Sequence, residues 1–481
     1  MESLIEKFIR LEEENHLLSD EIDGFTYWPY LRFSIYMKLE EIANNQNREI
    51  AGESRPSGGD VLQIIKNCTI KNPLLYRQKK DILFISHARR VKIDGSYRCI
   101  YTDKIADAFA DNSVSAEFIY GNKHMRPEYT KNILPLDYVD IWPALKFPIY
   151  KRSHTSTISK LNSKADYIST LIADSFGIKI EPQYVRSMLV RRFYWHKSKK
   201  KLMSKIIDQI SPKVIVEVVG YEVNKLIINE IASEKGIETI ELQHGVMGRG
   251  HLAYNYLVNR KYDFLPKTMF LFSDYWIKTC SFPLEQGHMV ATGFPYQEEQ
   301  MAKYPPMEHD KLTVLILSQP EFSDKLLPVV KEVLSDPAIR EMGIQFIYKL
   351  HPAEYRVPLE HWEDIIAFEN VDLIRDSNTP LYSLFAKSDI QIGVTSTAIF
   401  EGLAYNLKTL IYHIEKTDVY MGDLCNQGYA QFFDTKKELV EKIAEVVNAP
   451  ATNNEQQFFK LDSMHVIQRE LSMRCKEVEA E

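Results

Sequence analysis

The sequence predicts an α/β protein of two domains, each built around a parallel sheet. Its 481 residues exceed the length that one hydrophobic core usually covers. Short apolar segments alternate with segments of helical periodicity in both halves of the chain, which is typical of βαβ units. Several apolar segments end in polar side chains, and open α/β sheets bind ligands at the carboxyl ends of their strands.

Ten segments are predicted as strands, and a polar stretch that contains proline separates the first six from the last four. The predicted strands are 81–86, 116–120, 213–218, 238–242, 268–272, 288–291, 312–318, 345–350, 389–394 and 408–412. The predicted organisation is a helical extension (1–78), a first α/β domain (79–296), a linker (297–311), a second α/β domain (312–455) and a helical tail (456–481).

Composition excludes several classes of protein. The chain is 45% hydrophobic and 26% charged, as in ordinary soluble domains, and its net charge of −7 argues against a general nucleic-acid binder. Its five scattered cysteines indicate free thiols rather than a disulfide framework or a zinc site. The N-terminus lacks the pattern of a signal peptide, and no apolar run approaches the roughly 18 residues of a membrane span. We expect a cytoplasmic protein, in which any membrane contact is peripheral.

Two strand ends in the second half predict a phosphate-binding pocket. One strand ends in Lys349, and His351 lies two residues further on the same side. The other ends before Thr395-Ser396-Thr397 and a helix, whose unpaired N–H groups favour an anion. A histidine at such a strand end can donate to a phosphate oxygen or protonate a leaving group.

A carboxylate follows the hydroxyl run on the same helix. Glu401 lies four residues after Thr397 and therefore on the same helical face. It is well placed to accept hydrogen bonds from ribose hydroxyls.

A loop in the first half predicts a general base. The strand at 238–242 runs into Gln243-His244-Gly245, and the glycine-rich loop continues through Arg249. Glycines let a ligand approach the backbone, and histidine has a pKa suited to a base near neutral pH. Gln243 could hold one ring nitrogen of His244 and leave the other free. His244, His251 and His351 have no carboxylate or cysteine partner at ligand spacing, so no metal ion is expected. No cofactor is predicted either.

These motifs together resemble the GT-B fold glycosyltransferases. The first domain carries Gln-His-Gly and then Thr-Gly-Phe-Pro, and the second carries Lys-Leu-His-Pro-Ala-Glu and then Val-Thr-Ser-Thr-Ala-Ile-Phe-Glu-Gly. Within that group the chain looks most like bacterial capsular polysaccharide transferases and CDP-glycerol glycerophosphotransferases, over roughly residues 81 to 447. The teichoic-acid enzymes usually show Trp-His-Gly where this chain has Gln-His-Gly.

The resemblance implies a two-domain cleft that binds a nucleotide-sugar donor and a surface-glycan acceptor. His351 and residues 395–397 would bind the donor phosphates, Glu401 the ribose, and His244 would be the base on the acceptor side. The predicted function is metal-independent transfer of a sugar to a growing capsule or other surface glycan. The alternatives are a nucleotide-sugar 2-epimerase, a glycerol-phosphate polymerase and a non-catalytic partner in glycan assembly.

A basic, aromatic segment predicts contact with a membrane or a lipid-linked acceptor. Residues 186–205 hold eight Lys or Arg and no acid, in a chain of negative net charge. Cations interleaved with aromatic rings suit an anionic membrane surface. The residues expected to make this contact are Arg191, Arg192, Trp195, Lys199, Lys200 and Lys201. A solvated basic helix face is the alternative.

Overall fold

Two parallel sheets organise the chain, which confirms the predicted fold class. The computed structural model describes residues 2–44, 58–87, 90–118, 120–122, 128–447, 454 and 457–480. The strands are β1 (Glu21–Ile22), β2 (Phe25–Thr26), β3 (Ile82–Ile85), β4 (Arg90–Ile93), β5 (Ser96–Cys99), β6 (Ser113–Glu117), β7 (Leu134–Pro135), β8 (Val214–Val218), β9 (Glu238–Leu242), β10 (Thr268–Leu271), β11 (Met289–Ala291), β12 (Thr313–Leu317), β13 (Gln345–Lys349), β14 (Val371–Ile374), β15 (Ile390–Gly393), β16 (Lys408–Tyr412) and β17 (Gln431–Phe433).

Helices connect the strands and cover both faces of the sheets. They are α1 (Leu4–Glu14), α2 (Trp28–Ala43), α3 (Gly58–Cys68), α4 (Asp103–Ala108), α5 (Asp137–Ser153), α6 (Thr155–Phe176), α7 (Pro182–Ile210), α8 (Val223–Glu234), α9 (Asp274–Ile277), α10 (Pro295–Lys303), α11 (Ser323–Leu334), α12 (Pro337–Glu341), α13 (Glu363–Ile366), α14 (Leu381–Phe385), α15 (Ala398–Ala404), α16 (Glu415–Asn426), α17 (Lys436–Val447) and α18 (Ser463–Ala480).

Each of the two large sheets is parallel throughout, whereas β1–β2 and β4–β5 are two-stranded antiparallel sheets. The first has the strand order β11-β10-β9-β8-β3-β6-β7, and the second has the order β14-β13-β12-β15-β16-β17. Their central strands are fully buried, as in sheets covered by helices on both faces. The predicted strand at 116–120 is found at Ser113–Glu117, and residue 119 lies outside the described part of the chain. Helix α10 occupies the beginning of the segment expected to link the domains.

The N-terminal helices belong to the core of the first domain. The rings of Phe8 and Trp28 are fully buried. Arg32 makes two 2.8 Å hydrogen bonds to the carboxylate of Glu12. The same guanidinium donates to the carbonyl oxygens of Leu252, at 3.2 Å, and Asn255, at 3.1 Å. The extension therefore holds the loop that follows β9.

The C-terminal segment returns to the first sheet. The indole of Trp276 donates to the carbonyl oxygen of Phe458 at 2.9 Å, and the amide of Lys460 donates to that of Phe272 at 2.7 Å. Gly293 has a φ of +85°, and a Cβ there would lie 2.3 Å from the carbonyl oxygen of Lys460. Glycine is therefore required in the Thr-Gly-Phe-Pro junction, because the returning chain passes against its backbone.

The buried Arg32–Glu12 pair gives a stability prediction. Replacing Arg32 by Met leaves the Glu12 carboxylate buried without its cation, so we expect the free energy of unfolding to fall by about 3–5 kcal/mol. The Glu12→Gln/Arg32→Met double variant should recover most of that loss. Urea unfolding followed by circular dichroism measures both effects.

An exposed ion pair provides the matched control. Lys160 and Asp23 have side chains that are 61% and 43% exposed, so Lys160→Ala should change the free energy of unfolding by less than about 1 kcal/mol. Equal losses for Arg32→Met and Lys160→Ala would contradict the role given to the buried pair.

Candidate active site

The loops after β9 and β15 meet at the carboxyl ends of the two sheets. The hydroxyl oxygen of Thr397 accepts a hydrogen bond from the amide of Val246 at 3.3 Å. A Cβ on Gly245 would lie 3.3 Å from the same oxygen, so the two loops approach closely. The structure thus brings together the base loop and the hydroxyl run that the sequence singles out.

His351 follows β13 and has a defined hydrogen-bonding state. Its Nδ1 accepts from the amide of Ala353 at 3.2 Å, and its own amide donates to the Glu354 carboxylate at 2.8 Å. In a neutral ring an accepting Nδ1 requires that Nε2 carries the proton. The side chain of His351 is exposed, so this N–H is a donor at the end of the strand.

The hydroxyl run makes local and long-range contacts. Gln319, which follows β12, accepts from the Thr395 amide at 2.7 Å and donates to its hydroxyl at 3.2 Å. Ser396 accepts from the amide of Ala398 at 3.2 Å. Thr397 occupies the cap position of α15 without a side-chain cap bond, since its hydroxyl serves Val246 across the cleft. Gln319 was not predicted from the sequence, although it is a polar side chain directly beyond a buried strand.

Lys349 and Glu401 lie among internal partners. The ammonium of Lys349 donates to the Tyr355 hydroxyl at 2.6 Å and to the carbonyl oxygen of Asp376 at 2.8 Å. Burial lowers the pKa of Lys349. Glu401 lies beside the phenols of Tyr382 and Tyr405, whose pKa values are raised by burial and by its charge. The contribution of both residues to donor binding stays a prediction.

Gln243 does not hold the ring of His244 in the way that we expected. Its amide donates to the carbonyl oxygen of Gly245 at 2.8 Å and accepts from the amide of Phe272 at 2.8 Å. The buried amide therefore links the loop backbone at Gly245 to the backbone that follows β10. The side chain that faces Nδ1 of His244 is that of Tyr254, with its hydroxyl oxygen at 3.3 Å.

Aromatic side chains surround His244 on the side of the first domain. The hydroxyl of Tyr221 lies 3.5 Å from Nε2 of His244 and 3.5 Å from Nε2 of His251. Phe33, from the N-terminal extension, lies 5.0 Å from the ring of Tyr221 and 6.0 Å from that of His251. Burial lowers the pKa of His251 to about 4, so its imidazole is neutral near pH 7. Sequence spacing gave no signal for Phe33, because it lies about 200 residues from the loop.

Two buried glutamates lie behind the loop. Glu217 and Glu241 are register partners on β8 and β9, and each is at most 1% exposed. Tyr254 donates to the Glu241 carboxylate at 2.6 Å, and Asn229 donates to that of Glu217 at 2.9 Å. Burial raises the pKa of Glu241 to about 7. Burial and the neighbouring Glu241 charge raise the pKa of Glu217 well above its ordinary value.

Arg249 connects the two domains from an exposed position. Its guanidinium nitrogen Nε lies 3.4 Å from the Asp423 carboxylate on α16, and its side chain is 72% exposed. The following glycine, Gly250, packs against the ring of Tyr420, which a Cβ would meet at 2.8 Å. The loop therefore touches α16 as well as α15.

The basic segment lies on α7, and part of it is used inside the molecule. Lys199 is buried, where it pairs with Asp140 and donates to Asn224 at 2.9 Å. Lys200 pairs with Glu230 at 2.7 Å and with Glu234 at 2.8 Å. Arg191 and Lys201 are exposed, whereas Arg192 and Trp195 are half-buried. Lys199 and Lys200 are therefore engaged within the fold rather than directed at a lipid surface.

Among the described residues no helix is long and apolar enough to cross a bilayer. The same part of the chain contains no cluster of three or more His, Cys, Asp or Glu side chains arranged to hold a metal ion.

No protein-family model matches this sequence, and no curated protein matches it. Solved structures with a similar course of the chain are enzymes of the GT-B fold. UDP-GlcNAc 2-epimerase from Methanocaldococcus jannaschii is 11% identical, with 82% of this chain and 100% of that chain covered and a TM-score of 0.45. The glycosyltransferase of kitacinnamycin is 10% identical, with 83% and 97% covered and a TM-score of 0.44. The wall teichoic acid polymerase TagF is 10% identical, with 88% and 97% covered and a TM-score of 0.40. Structural similarity at this level concerns the fold and not the reaction that this chain performs.

The buried glutamates predict a pH-dependent stability. An unfolded glutamate ionises near pH 4.5, whereas burial and the neighbouring Glu241 charge raise the pKa of Glu217 well above that value in the fold. Its contribution to stability is therefore complete below about pH 4.5 and is lost as the pH rises toward its raised pKa. Glu217→Gln takes up no proton on folding, and Asn229 can still donate to its amide oxygen. We expect the melting temperature of this variant to exceed that of the wild type at about pH 8, with the gain shrinking toward about pH 5.

Glu234→Gln is the matched control, because the side chain of Glu234 is 60% exposed. Its effect on the melting temperature should be nearly independent of pH. A Glu217→Gln gain that is the same at both pH values would contradict a protonated Glu217.

Proposed function

We propose that this protein is a glycosyltransferase that moves a sugar from a nucleotide-activated donor to a surface-glycan acceptor. The observation that carries the proposal is the 3.3 Å contact between Val246 and Thr397. It places a histidine loop of one sheet against a run of hydroxyls of the other. In a transferase the base of one domain and the phosphate-binding hydroxyls of the other must face the same cleft, where donor and acceptor meet.

The donor half lies on the second domain. The Nε2–H of His351 and the hydroxyls of residues 395–397 are donors for the phosphate oxygens, which gain negative charge as the sugar leaves. Glu401 is proposed to accept from the ribose hydroxyls, and Lys349 to support the strand end from its bonds to Tyr355 and Asp376.

The acceptor half lies on the first domain. His244 takes the proton of the acceptor hydroxyl while that oxygen attacks the anomeric carbon, and the sugar–phosphate bond breaks with its electron pair going to the phosphate. The half-buried rings of Phe33 and Tyr221 beside His244 form an aromatic wall, which suits a sugar ring that needs both apolar contact and orientation. The proposed reaction needs no metal ion, so activity should persist in EDTA.

Removing either histidine tests the proposal. We expect His244→Ala and His351→Ala each to lower kcat by about 10²-fold or more, the usual contribution of a general base or of an electrostatic donor. The melting temperatures should change little, because both side chains lie at strand ends rather than in the core. Glycan synthesis from a panel of UDP-, CDP-, GDP- and TDP-activated donors measures kcat.

The matched control is His361→Ala, because His361 is exposed and follows no strand of the cleft. A kcat that falls only in proportion to the melting temperature would identify the two histidines as structural. Incubation with the sugar nucleotide alone separates transfer from epimerisation, since an epimerase yields a new sugar nucleotide without an acceptor. Assays with CDP-glycerol, or tight nucleotide binding without turnover, distinguish the polymerase and the non-catalytic partner.

We further propose that the acceptor is lipid-linked and that the face formed by α3, α5 and the 69–80 segment contacts the membrane. The exposed apolar side chains of this face are Val61, Leu62, Ile65, Ile70, Leu75, Trp142, Leu145 and Ile149. The acids in 58–80 and 137–154 are Asp60 and Asp137, which are buried, and Asp140, which pairs with Lys199. The exposed charges of these segments are therefore basic, in a chain whose net charge is −7. Apolar contact flanked by cations suits an anionic bilayer.

Leu145 and Ile149 test this surface, because they are 66% and 67% exposed. We expect the Leu145→Ser/Ile149→Ser variant to bind phosphatidylglycerol-containing vesicles more than about 10-fold more weakly, since each apolar side chain contributes about 1.5–3 kcal/mol when fully buried. Sedimentation with vesicles measures the binding.

Met473→Ser, at an exposed apolar residue on α18, is the control. Unchanged binding of the double variant, together with loss of binding on Arg191→Glu/Lys201→Glu, would place the contact on α7 instead. Self-association that is abolished by the double variant would show that the face binds a second copy.

A further inference from the structure

The buried glutamates Glu217 and Glu241 point into one small space. A Cβ on Gly220 would lie 2.5 Å from Oε2 of Glu241 and 2.9 Å from Oε1 of Glu217. The two carboxyl groups therefore share a buried site, in which repulsion between like charges disfavours the ionisation of both. Neither Glu217 nor Glu241 has a role in the proposed transfer reaction.

Of the two carboxyl groups, that of Glu241 is linked to His244 through Tyr254. Tyr254 donates its hydroxyl proton to Oε1 of Glu241 at 2.6 Å, so its oxygen can act only as an acceptor toward Nδ1 of His244, which lies 3.3 Å away. Glu217 instead accepts from Asn229, which is a buried residue of α8. The pair is thus asymmetric with respect to the cleft.

We propose that Glu241 and Tyr254 form a buried relay that positions His244 and fixes its proton on Nδ1, with Glu217 outside the relay. A neutral His244 with its proton on Nδ1 has its lone pair on Nε2. This is the nitrogen that lies near the hydroxyl of Tyr221, beside the aromatic wall. Glu241 and Tyr254 are positioning residues, because they act on the reaction through His244. The inference rests on the proposed role of His244 as the base.

The charged surroundings of the pair favour this division. The groups around Glu241 are Glu217 on β8, the Gly220 amide, the phenols of Tyr221, Tyr254 and Tyr256, the Cys280 thiol and the ammonium of Lys225. Lys225 is already paired with Glu222, so it does not neutralise two carboxylates. The Tyr254 hydroxyl and the Gly220 amide stabilise the ionised form of Glu241, whose pKa is about 7. Burial and the Glu241 charge raise the pKa of Glu217 well above its ordinary value despite the hydrogen bond from Asn229. We therefore place the proton that the two carboxyl groups share on Glu217 and the negative charge on Glu241.

The relay has a defined consequence during the reaction. As the acceptor oxygen attacks, its proton moves to Nε2, and His244 becomes an imidazolium that still donates from Nδ1 to Tyr254. The Glu241 carboxylate stabilises this cation through the polarised phenol. After the sugar–phosphate bond has broken, Nε2 releases the proton to solvent and the ring returns to its starting tautomer.

The tautomer of His244 is the direct test, because it does not depend on turnover. In protein labelled with ¹⁵N-histidine, with the His244 signals assigned by their loss in His244→Ala, we expect the Nδ1–H form to predominate in the wild type above neutral pH. Tyr254→Phe removes the acceptor without changing the shape of the ring, so the Nε2–H form should become the major one. Glu241→Gln should move the population in the same direction, since its amide can donate to the phenol.

Glu217→Gln is the matched control, because it replaces a neutral group by a neutral group of the same size. It should keep the tautomer and kcat of the wild type, whereas Tyr254→Phe should lower kcat by about 10- to 100-fold, as is typical when a group that orients a functional histidine is removed. The unchanged Nδ1–H tautomer in both Tyr254→Phe and Glu241→Gln would overturn the relay. Should one variant fail to fold, the other still decides.

The relay and the proposed function fail in different ways. If His244→Ala keeps full activity, His244 is not the base, whatever its tautomer. If His244→Ala is inactive but the His244 tautomer is unchanged in Tyr254→Phe and Glu241→Gln, His244 is still the base and only the relay is wrong.

Discussion

The close approach of the β9 loop to α15 and α16 is the constraint on which the site depends. Gly245 and Gly250 leave room for Thr397 and Tyr420, and a side chain at Gly250 would collide with the Tyr420 ring. The Val246–Thr397 hydrogen bond then holds the two loops in register. Parallel sheets expose their loops at the carboxyl ends, so one short contact of this kind turns two separate crevices into a single cleft.

The ends of the chain support this arrangement from outside the sheets. The N-terminal helices hold the loop through Arg32 and place Phe33 beside Tyr221, so the extension is a part of the proposed acceptor site. The C-terminal segment runs from the second domain back across Phe272 and Trp276. The N-terminal helices thus support the β9 loop, and the C-terminal segment packs against the first domain.

The sequence predicted the features that are local in the chain. Buried parallel strands are short apolar runs, so the strand ends at His244, His351 and Thr395 could be located from the pattern. Partners that lie far apart in the chain could not, since spacing carries no information on Tyr254 facing His244 or on Lys199 reaching Asp140. The sequence did carry a signal for Glu217, because it is an acidic residue inside a fully buried strand. A buried carboxyl group requires hydrogen-bond partners, which its neighbours provide.

The central claim is that one cleft joins the donor and acceptor halves, and a crystal structure with a bound nucleotide sugar tests it most directly. We expect the diphosphate to contact Nε2 of His351 and the hydroxyls of residues 395–397, with the anomeric carbon facing His244. A nucleotide bound away from these hydroxyls, or a sugar directed away from His244, would contradict it.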